Sequence, residues 1–147
     1  MVRPYALRFR VLTRRRSRVL LVESDHSIAE MYRLRLRLRG FSVDLARDGE
    51  DGLARILSGD LPDVLVVDLG LPRIERNQPR RDALDMLSVL RSVHLTNTVP
   101  VVALSCDGAG LSDALDRGAT ECMSNWQTTP RNLAHKVAQL LGEPVVR

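Results

Sequence analysis

The sequence predicts a doubly wound α/β domain in which five parallel strands alternate with helices. Apolar runs of strand length alternate along the chain with longer segments of helical character, which favours a parallel sheet covered on both faces. The clearest run, residues 64–67, ends abruptly in the carboxylate of Asp68. Ligands of open α/β sheets bind at the carboxyl ends of the strands, so Asp68 is the first candidate functional residue.

The composition is that of one globular domain. The chain has 147 residues, of which 44% are hydrophobic and 3% aromatic, so we expect an aliphatic core. No apolar run approaches the ~20 residues that a membrane span needs. The two cysteines, Cys106 and Cys122, lack metal-ligand spacing, which favours free thiols in a cytoplasmic protein.

The positive charge is concentrated at the amino terminus. Residues 1–18 contain seven arginines and no acid, although the net charge of the whole chain is only +4. We expect 1–17 to be a loosely ordered basic arm, 18–142 the domain and 143–147 a short tail. Contact of the arm with nucleic acid or an anionic surface, and a start codon assigned too far upstream, are the alternatives. The apolar stretch after the arginines at 14–16 is too short for an export signal.

The predicted elements follow one another in strict alternation. We predict strands at 18–22, 41–46, 63–67, 99–104 and 119–124, and helices at 27–39, 52–58, 84–93, 110–117 and 130–141. Residues 73–82, which are polar and interrupted by a proline, are predicted to form a loop. Pro130 suits the first turn of the last helix, and Gly142 suits its end.

The segment 32–39 alternates apolar residues with arginines, which taken alone favours a strand. We assign it to the first helix because its residues are good helix formers and Gly40 supplies a helix stop. Ser24 or Asp25 would cap this helix. We expect its arginines to lie with their stems over the core edge, nucleic-acid binding being the alternative.

This order of elements predicts a three-layer α/β/α sandwich with right-handed crossovers and the flavodoxin-like strand order 2-1-3-4-5. The first and third strands are neighbours in that order. Glu23, Ser24 and Asp68 then meet at one carboxyl edge, with Ser105 and Asn125 at the ends of neighbouring strands. From local sequence alone, Asp68 is equally well explained as a cap of the following turn.

Four segments in register resemble the receiver domain of two-component response regulators. The resemblance covers residues 18–141, and QTTPRNLAHKV (127–137) is similar to a subgroup of stand-alone receivers. A dinucleotide-binding fold lacks its GxGxxG, and a haloacid-dehalogenase-type phosphatase lacks its second Asp, since that position is Gly70. The four segments are LLVESD (20–25), PDVLVVDLGLP (62–72), PVVALSC (100–106) and GATECMSN (118–125).

The resemblance implies that Asp68 accepts a phosphoryl group from a histidine kinase or phosphotransfer protein. It implies a Mg²⁺ site formed by Glu23, Asp68, the backbone carbonyl of Gly70 and the position held by Ser24. Mg²⁺ neutralises phosphoryl oxygens during in-line transfer. Ser105 would be the hydroxyl that reports the phosphate. The chain would then be a signalling module and not an enzyme.

The pocket departs from the family pattern at three positions. Ser24 stands where the family has a second acid, Asn125 where it has a lysine, and Cys122 where it has an aromatic switch residue. Asp25 lies one residue too far along to replace the acid. The loop after residue 72 is also longer than in the family.

We therefore expect an atypical, single-domain receiver with weak or absent phosphorylation and a weak Mg²⁺ site. It would act by docking, through the face formed by residues 111–117, Cys122 and residues 131–140, on a downstream protein, with a homodimer as a further possibility. The first alternative is a conventional phospho-accepting receiver whose pocket is completed by Asp25 or Glu75. The second, from another class, is a nucleic-acid-binding protein that uses the basic arm.

Overall fold

The computed structural model describes residues 15–70, 83–94, 96–105, 108–124 and 129–143. Within these ranges, all neighbouring strands are parallel, and their order is β2-β1-β3-β4-β5. The predicted flavodoxin-like fold is therefore confirmed. The strands are β1 (Arg18–Val22), β2 (Ser42–Ala46), β3 (Val64–Asp68), β4 (Val101–Ser105) and β5 (Glu121–Ser124). The helices are α1 (His26–Leu38), α2 (Gly49–Leu57), α3 (Ala83–Ser92), α4 (Leu111–Asp116) and α5 (Pro130–Leu140).

The sheet is buried on both faces, as its continuous apolar strands predicted. Alternate side chains of each strand contribute to opposite faces. Helices α2, α3 and α4 cover one face, where Met86 and Leu90 are fully buried. Helices α1 and α5 cover the other, where Leu36 and Leu133 are fully buried. None of the helices in the described ranges is long and apolar enough to cross a membrane.

The largest difference from the predicted bounds is the start of α2. This helix begins at Gly49 and not at residue 52, because the carboxylate of Asp48 accepts the backbone N–H of Asp51 at 2.7 Å and caps it. The prediction read this glycine-containing stretch as a turn. The other bounds differ from the predictions by at most two residues.

Strand β3 begins and ends one residue later than predicted, so that it is preceded by Asp63. Its carboxylate accepts the backbone N–H of Arg18 at 2.7 Å, so the strand begins at Val64. Asp68 is consequently the last residue of β3 and not the first residue after it.

Helix α1 includes the alternating segment, as predicted. Asp25 is its N-cap, since its side chain accepts the backbone N–H of Ile28 at 3.0 Å. Gly40 follows the helix with a φ of +104°, a conformation that glycine adopts without strain. The helix therefore runs from the carboxyl edge of the sheet back towards its amino edge.

Arg91 connects the end of α3 to the segments beside it. Its guanidinium donates to the backbone carbonyls of Gly118, Asn97 and Val99 at 2.9, 2.9 and 2.8 Å. Burial lowers the pKa of Arg91, and these carbonyl oxygens compensate for the water that the charge has lost. The contacts fix the starts of β4 and β5 relative to α3.

Replacing Gly118 by alanine tests how tightly this arginine is packed. Gly118 and Gly40 both have a φ of +104°, for which a side chain costs ~1–2 kcal/mol. A Cβ on Gly118 would lie 2.6 Å from Cγ of Arg91, whereas one on Gly40 would meet nothing within 4 Å. We expect Gly118→Ala to lower the free energy of unfolding in urea by about 1–3 kcal/mol more than Gly40→Ala. Equal losses would show that Arg91 is displaced at no cost.

Candidate functional site

Two carboxylates meet at the carboxyl edge of the sheet. Val22 of β1 is paired with Val67 of β3, so the residues that follow them, Glu23 and Asp68, stand side by side. Their side chains are hydrogen-bonded to each other. The topology therefore places together the two acids that the sequence assigned to one site.

Glu23 is the buried member of this pair, with 5% of its surface exposed. Burial raises the pKa of Glu23 to about 7. The backbone N–H of Asp25, which donates to Oε1 of Glu23 at 3.1 Å, opposes this shift, and the negative charge of Asp68 adds to it. Burial thus favours the protonated form of Glu23, which is the form that donates to Asp68.

Asp68 is engaged on two sides. Besides its contact with Glu23, its Oδ1 accepts the backbone N–H of Gly70 at 2.9 Å, which is the local turn bond that a short polar side chain favours. Asp68 thus both caps the following turn and contacts Glu23. The N–H of Gly70 is the group that contacts Asp68, and its carbonyl as a metal ligand stays a prediction.

The position of the second acid supplies no carboxylate. Ser24 is exposed and borders a cavity of about 590 Å³ that His26 and Arg47 also line. Asp25 is occupied by its role as the cap of α1. Among the described residues, no group of three His, Cys, Asp or Glu side chains is arranged to hold a metal ion.

Ser105 ends β4, the strand next to β3. It is 3% exposed, and its hydroxyl donates to the backbone carbonyl of Ala109 at 2.8 Å. Asp68 is in register with Leu104, so Ser105 lies one residue further along the neighbouring strand. Its role as the reporter of a phosphate stays a prediction.

Cys122 lies on the edge strand β5 and is half-buried. Burial raises the pKa of its thiol, which donates to the carbonyl of Leu111 at 3.7 Å. The remaining predicted positions lie outside the described residues. These are Asn125, Cys106, the loop 73–82 with Glu75, and residues 1–14 of the basic arm.

The donor set fits a weak Mg²⁺ site. Glu23 and Asp68 are within hydrogen-bonding distance of each other, and Mg²⁺ commonly binds through one or two carboxylates and several waters. A cation at this position must displace the proton of Glu23, because metal-binding carboxylates are deprotonated. Binding is therefore coupled to proton release.

Replacing Glu23 by glutamine tests the buried proton. A raised pKa in the folded state stabilises the protein below about pH 4.5, and this contribution is lost as the pH rises through about 7. Glutamine keeps the hydrogen bond to Asp68 but has no proton to lose. In EDTA, we expect Glu23→Gln to raise the Tm by about 2–6 °C near pH 8 and by much less near pH 5.

The control for this prediction is Glu30→Gln, which makes the same change at a glutamate of α1 that is paired with Arg33 at the surface. Its effect on the Tm should not depend on pH in this range. A pH-independent effect of Glu23→Gln would mean that Glu23 is ionised in the folded protein.

Comparison with known proteins identifies the family. The family model of the response regulator receiver domain matches residues 19–137 of this chain. The chain is 36% identical over 104 residues to the transcriptional regulatory protein DltR of Streptococcus agalactiae serotype III, a match that covers 71% of this chain and 43% of that protein. It is 36% identical over 88 residues to the response regulator MprA of Mycobacterium avium, covering 60% and 34% respectively. The chain thus spans less than half the length of these curated relatives.

Solved structures agree with this assignment. A response regulator from Chloroflexus aurantiacus J-10-fl matches with a TM-score of 0.76 and 29% identity, over 88% of this chain and 100% of that chain. The chemotaxis response regulator CheY4 of Vibrio cholerae matches in fold, with a TM-score of 0.73 and 20% identity over 86% and 99%. Receiver domains are signalling modules that typically bind Mg²⁺ and interact with histidine kinases or phosphotransfer proteins. The chain belongs to the response regulator receiver domain family of two-component signalling.

Proposed function

We propose that this receiver is atypical, that Asp68 is phosphorylated weakly or not at all, and that the domain signals in the cytoplasm by docking on other proteins. The observation that carries the proposal is the composition of the carboxyl edge. Burial raises the pKa of Glu23 beside Asp68, Ser24 contributes only a hydroxyl, and Asp25 is used as a helix cap.

The chemistry of phosphoryl transfer explains why this arrangement is unfavourable. The acceptor carboxylate must be ionised, and a cation must neutralise the phosphoryl oxygens as the bond from phosphorus to the donor breaks and the bond to Asp68 forms. A site with two carboxylates, one of which has a raised pKa, attracts that cation less than a site with three ionised acids.

The position of Asn125 adds a second deficit. The resemblance places a lysine there, whereas the side chain of asparagine is able to donate a hydrogen bond but carries no charge. A charge-assisted hydrogen bond is about twice as strong as a neutral one. The phosphorylated state is therefore less stabilised than in a receiver that has the lysine.

The conventional alternative uses the same residues. Glu23, Asp68 and the carbonyl of Gly70 would hold Mg²⁺, which supplies the charge that neutralises the phosphoryl oxygens. Ser105 would have to release the carbonyl of Ala109 before its hydroxyl contacts the phosphoryl group. The two interpretations share Asp68 as the acceptor and differ only in the fraction of the protein that becomes phosphorylated.

Intact-mass analysis after incubation with acetyl phosphate and Mg²⁺ separates the two readings. We expect little or no adduct on the unmodified chain and none on Asp68→Asn. In the double variant Ser24→Asp/Asn125→Lys, which restores the acid and the cation, we expect the phosphorylated fraction to rise about tenfold or more, equivalent to ~1.4 kcal/mol of added stabilisation.

The matched control is Ser27→Asp, which adds a carboxylate on an exposed serine in the first turn of α1. It should leave the phosphorylated fraction unchanged. Stoichiometric, Asp68-dependent phosphorylation of the unmodified chain would reject the atypical reading and favour the conventional one.

The proposed docking surface is the α4–β5–α5 face. Leu115 of α4 is 53% exposed, and Lys136 of α5 pairs with Glu121 of β5 at 3.8 Å. A groove of about 420 Å³ runs between β5 and α5 and includes Cys122 and His135. An exposed apolar side chain beside a polar groove is the kind of surface that binds another protein.

Charge reversal tests this surface. The tagged chain is used to recover its partners from extracts of the native host, and the recovered proteins are measured by quantitative mass spectrometry. We expect Arg131→Glu/Lys136→Glu to lower the recovered amount of at least one partner about tenfold, because charge pairs at the interface are lost. Arg16→Glu/Arg55→Glu, an equal change of charge elsewhere on the domain, should have no effect. If every partner is retained by the first variant, this face is not the docking site. Loss of self-association in sedimentation velocity would identify the partner as a second copy.

A further inference from the structure

The cavity beside Ser24 opens between α1 and α2, at the carboxyl end of the edge strand β2. Its volume of about 590 Å³ lies within the range of roughly 300–1,000 Å³ that is typical of small-molecule sites. Side chains of both helices and of the segments that follow β1 and β2 line it. The cavity is therefore large enough for a small organic ligand.

The bottom of the cavity is apolar. Ala29 of α1 and Ala46 of β2 are 3% and 1% exposed, and Leu45 lines the cavity beside them. The two alanines are small, which leaves room above them. An apolar group that enters this space is removed from water, which favours its binding.

The wall of the cavity carries one cation that has no carboxylate partner. Asp51 pairs with Arg55 at 3.2 Å, and Glu30 pairs with Arg33 at 3.5 Å. Arg47 also lines the cavity and is exposed, and among the described residues it forms no ion pair. The guanidinium of Arg47 is thus available to a ligand at the mouth of a cavity whose bottom is apolar.

We propose that this cavity binds a small organic monocarboxylate with an apolar body. The carboxylate would accept two parallel hydrogen bonds from the guanidinium of Arg47, the geometry in which arginine binds carboxylates best. The exposed side chains of Ser24 and His26 line the same cavity and supply further donors. The apolar body would pack on Ala29 and Ala46.

The acids of the wall argue against other classes of ligand. A phosphate monoester carries about −1.5 to −2 charges at pH 7, and the single guanidinium of Arg47 does not balance that charge beside Glu30 and Asp51. A metal ion is also disfavoured, because no three His, Cys, Asp or Glu side chains are arranged to hold one in the described part of the chain. One negative charge on an apolar body matches the cavity best.

Glu23 separates the cavity from Asp68. It lines the cavity at the end of β1, and it is hydrogen-bonded to Asp68 on the side of β3. Asp68 itself does not line the cavity. The proposed ligand would therefore lie next to the phosphoryl-transfer site without occupying it. Its binding goes beyond the proposed function and does not require it.

The test is a nuclear magnetic resonance titration of the isotope-labelled full chain with naphthoate, in EDTA and without a phosphodonor. We expect saturable shifts of the backbone amide signals of Ser24, His26 and Arg47, which line the cavity. The neutral amide of naphthoate has the same apolar body without the charge. It should bind about tenfold or more weakly, because the charge-assisted hydrogen bonds to Arg47 are lost.

Substitutions of Arg47 test its role as the anchor. We expect Arg47→Gln to weaken naphthoate binding about tenfold, and Arg47→Lys to weaken it less, since lysine keeps the charge but not the paired donors. Arg47→Glu should reverse the preference, so that naphthylmethylammonium binds better than naphthoate.

The matched control is Arg35→Gln, which removes an exposed arginine of α1 that does not line the cavity. It should leave naphthoate binding unchanged. Circular dichroism should show that all variants are folded, because both arginines are exposed. The reversed preference of Arg47→Glu is a gain of binding that an unfolded variant would not show.

Any of three results would overturn the proposal. The first is the absence of saturable shifts at the residues of the cavity, including the case in which naphthoate shifts only the exposed Leu34 and Leu38 of α1. The second is equal binding of naphthoate to the unmodified chain and to Arg47→Gln. The third is displacement of naphthoate by an equal concentration of inorganic phosphate, which would show that the site selects a more highly charged anion.

Discussion

The hydrogen bond between Glu23 and Asp68 is the interaction on which the candidate site depends. This contact forms because β1 and β3 are adjacent and Val22 is in register with Val67, which places Glu23 and Asp68 next to each other. Burial of Glu23 then favours its neutral form. A divalent cation has to compete with a proton at Glu23, which is one reason why we propose that the pair binds Mg²⁺ weakly.

Much of the fold was predictable because the local signals agree with one another. Apolar runs of strand length, helix stops at glycine and an alternating order of elements all indicate one doubly wound sheet. The proximity of Glu23 and Asp68 was predicted from the strand order alone. The bond from Gly70 to Asp68 is the turn cap that the local sequence also offered. The bond from Ser105 to Ala109 was not predictable, because it depends on a side-chain rotamer and on loop geometry. The start of α2 was missed because two glycines obscured the cap at Asp48.

Helix α1 shows how a local pattern and a fold can disagree without cost. The alternation of residues 32–39 is typical of a strand, yet the residues are good helix formers and the chain needs a helix between β1 and β2. The fold uses Tyr32 and Leu36 for its core and leaves Leu34 and Leu38 in water.

Asp25 connects the site to this helix and explains why the missing acid is not replaced by its neighbour. Its carboxylate accepts the N–H of Ile28 at 3.0 Å, and its own backbone N–H donates to Glu23 at 3.1 Å. Turning this side chain towards Asp68 would remove the cap of α1, which is worth about 1 kcal/mol. Ser24, which stands at the position of the missing acid, is exposed and has no carboxylate. The weak cation binding that we propose therefore results from the chemistry of one surface position in an intact receiver fold, and not from a distortion of that fold.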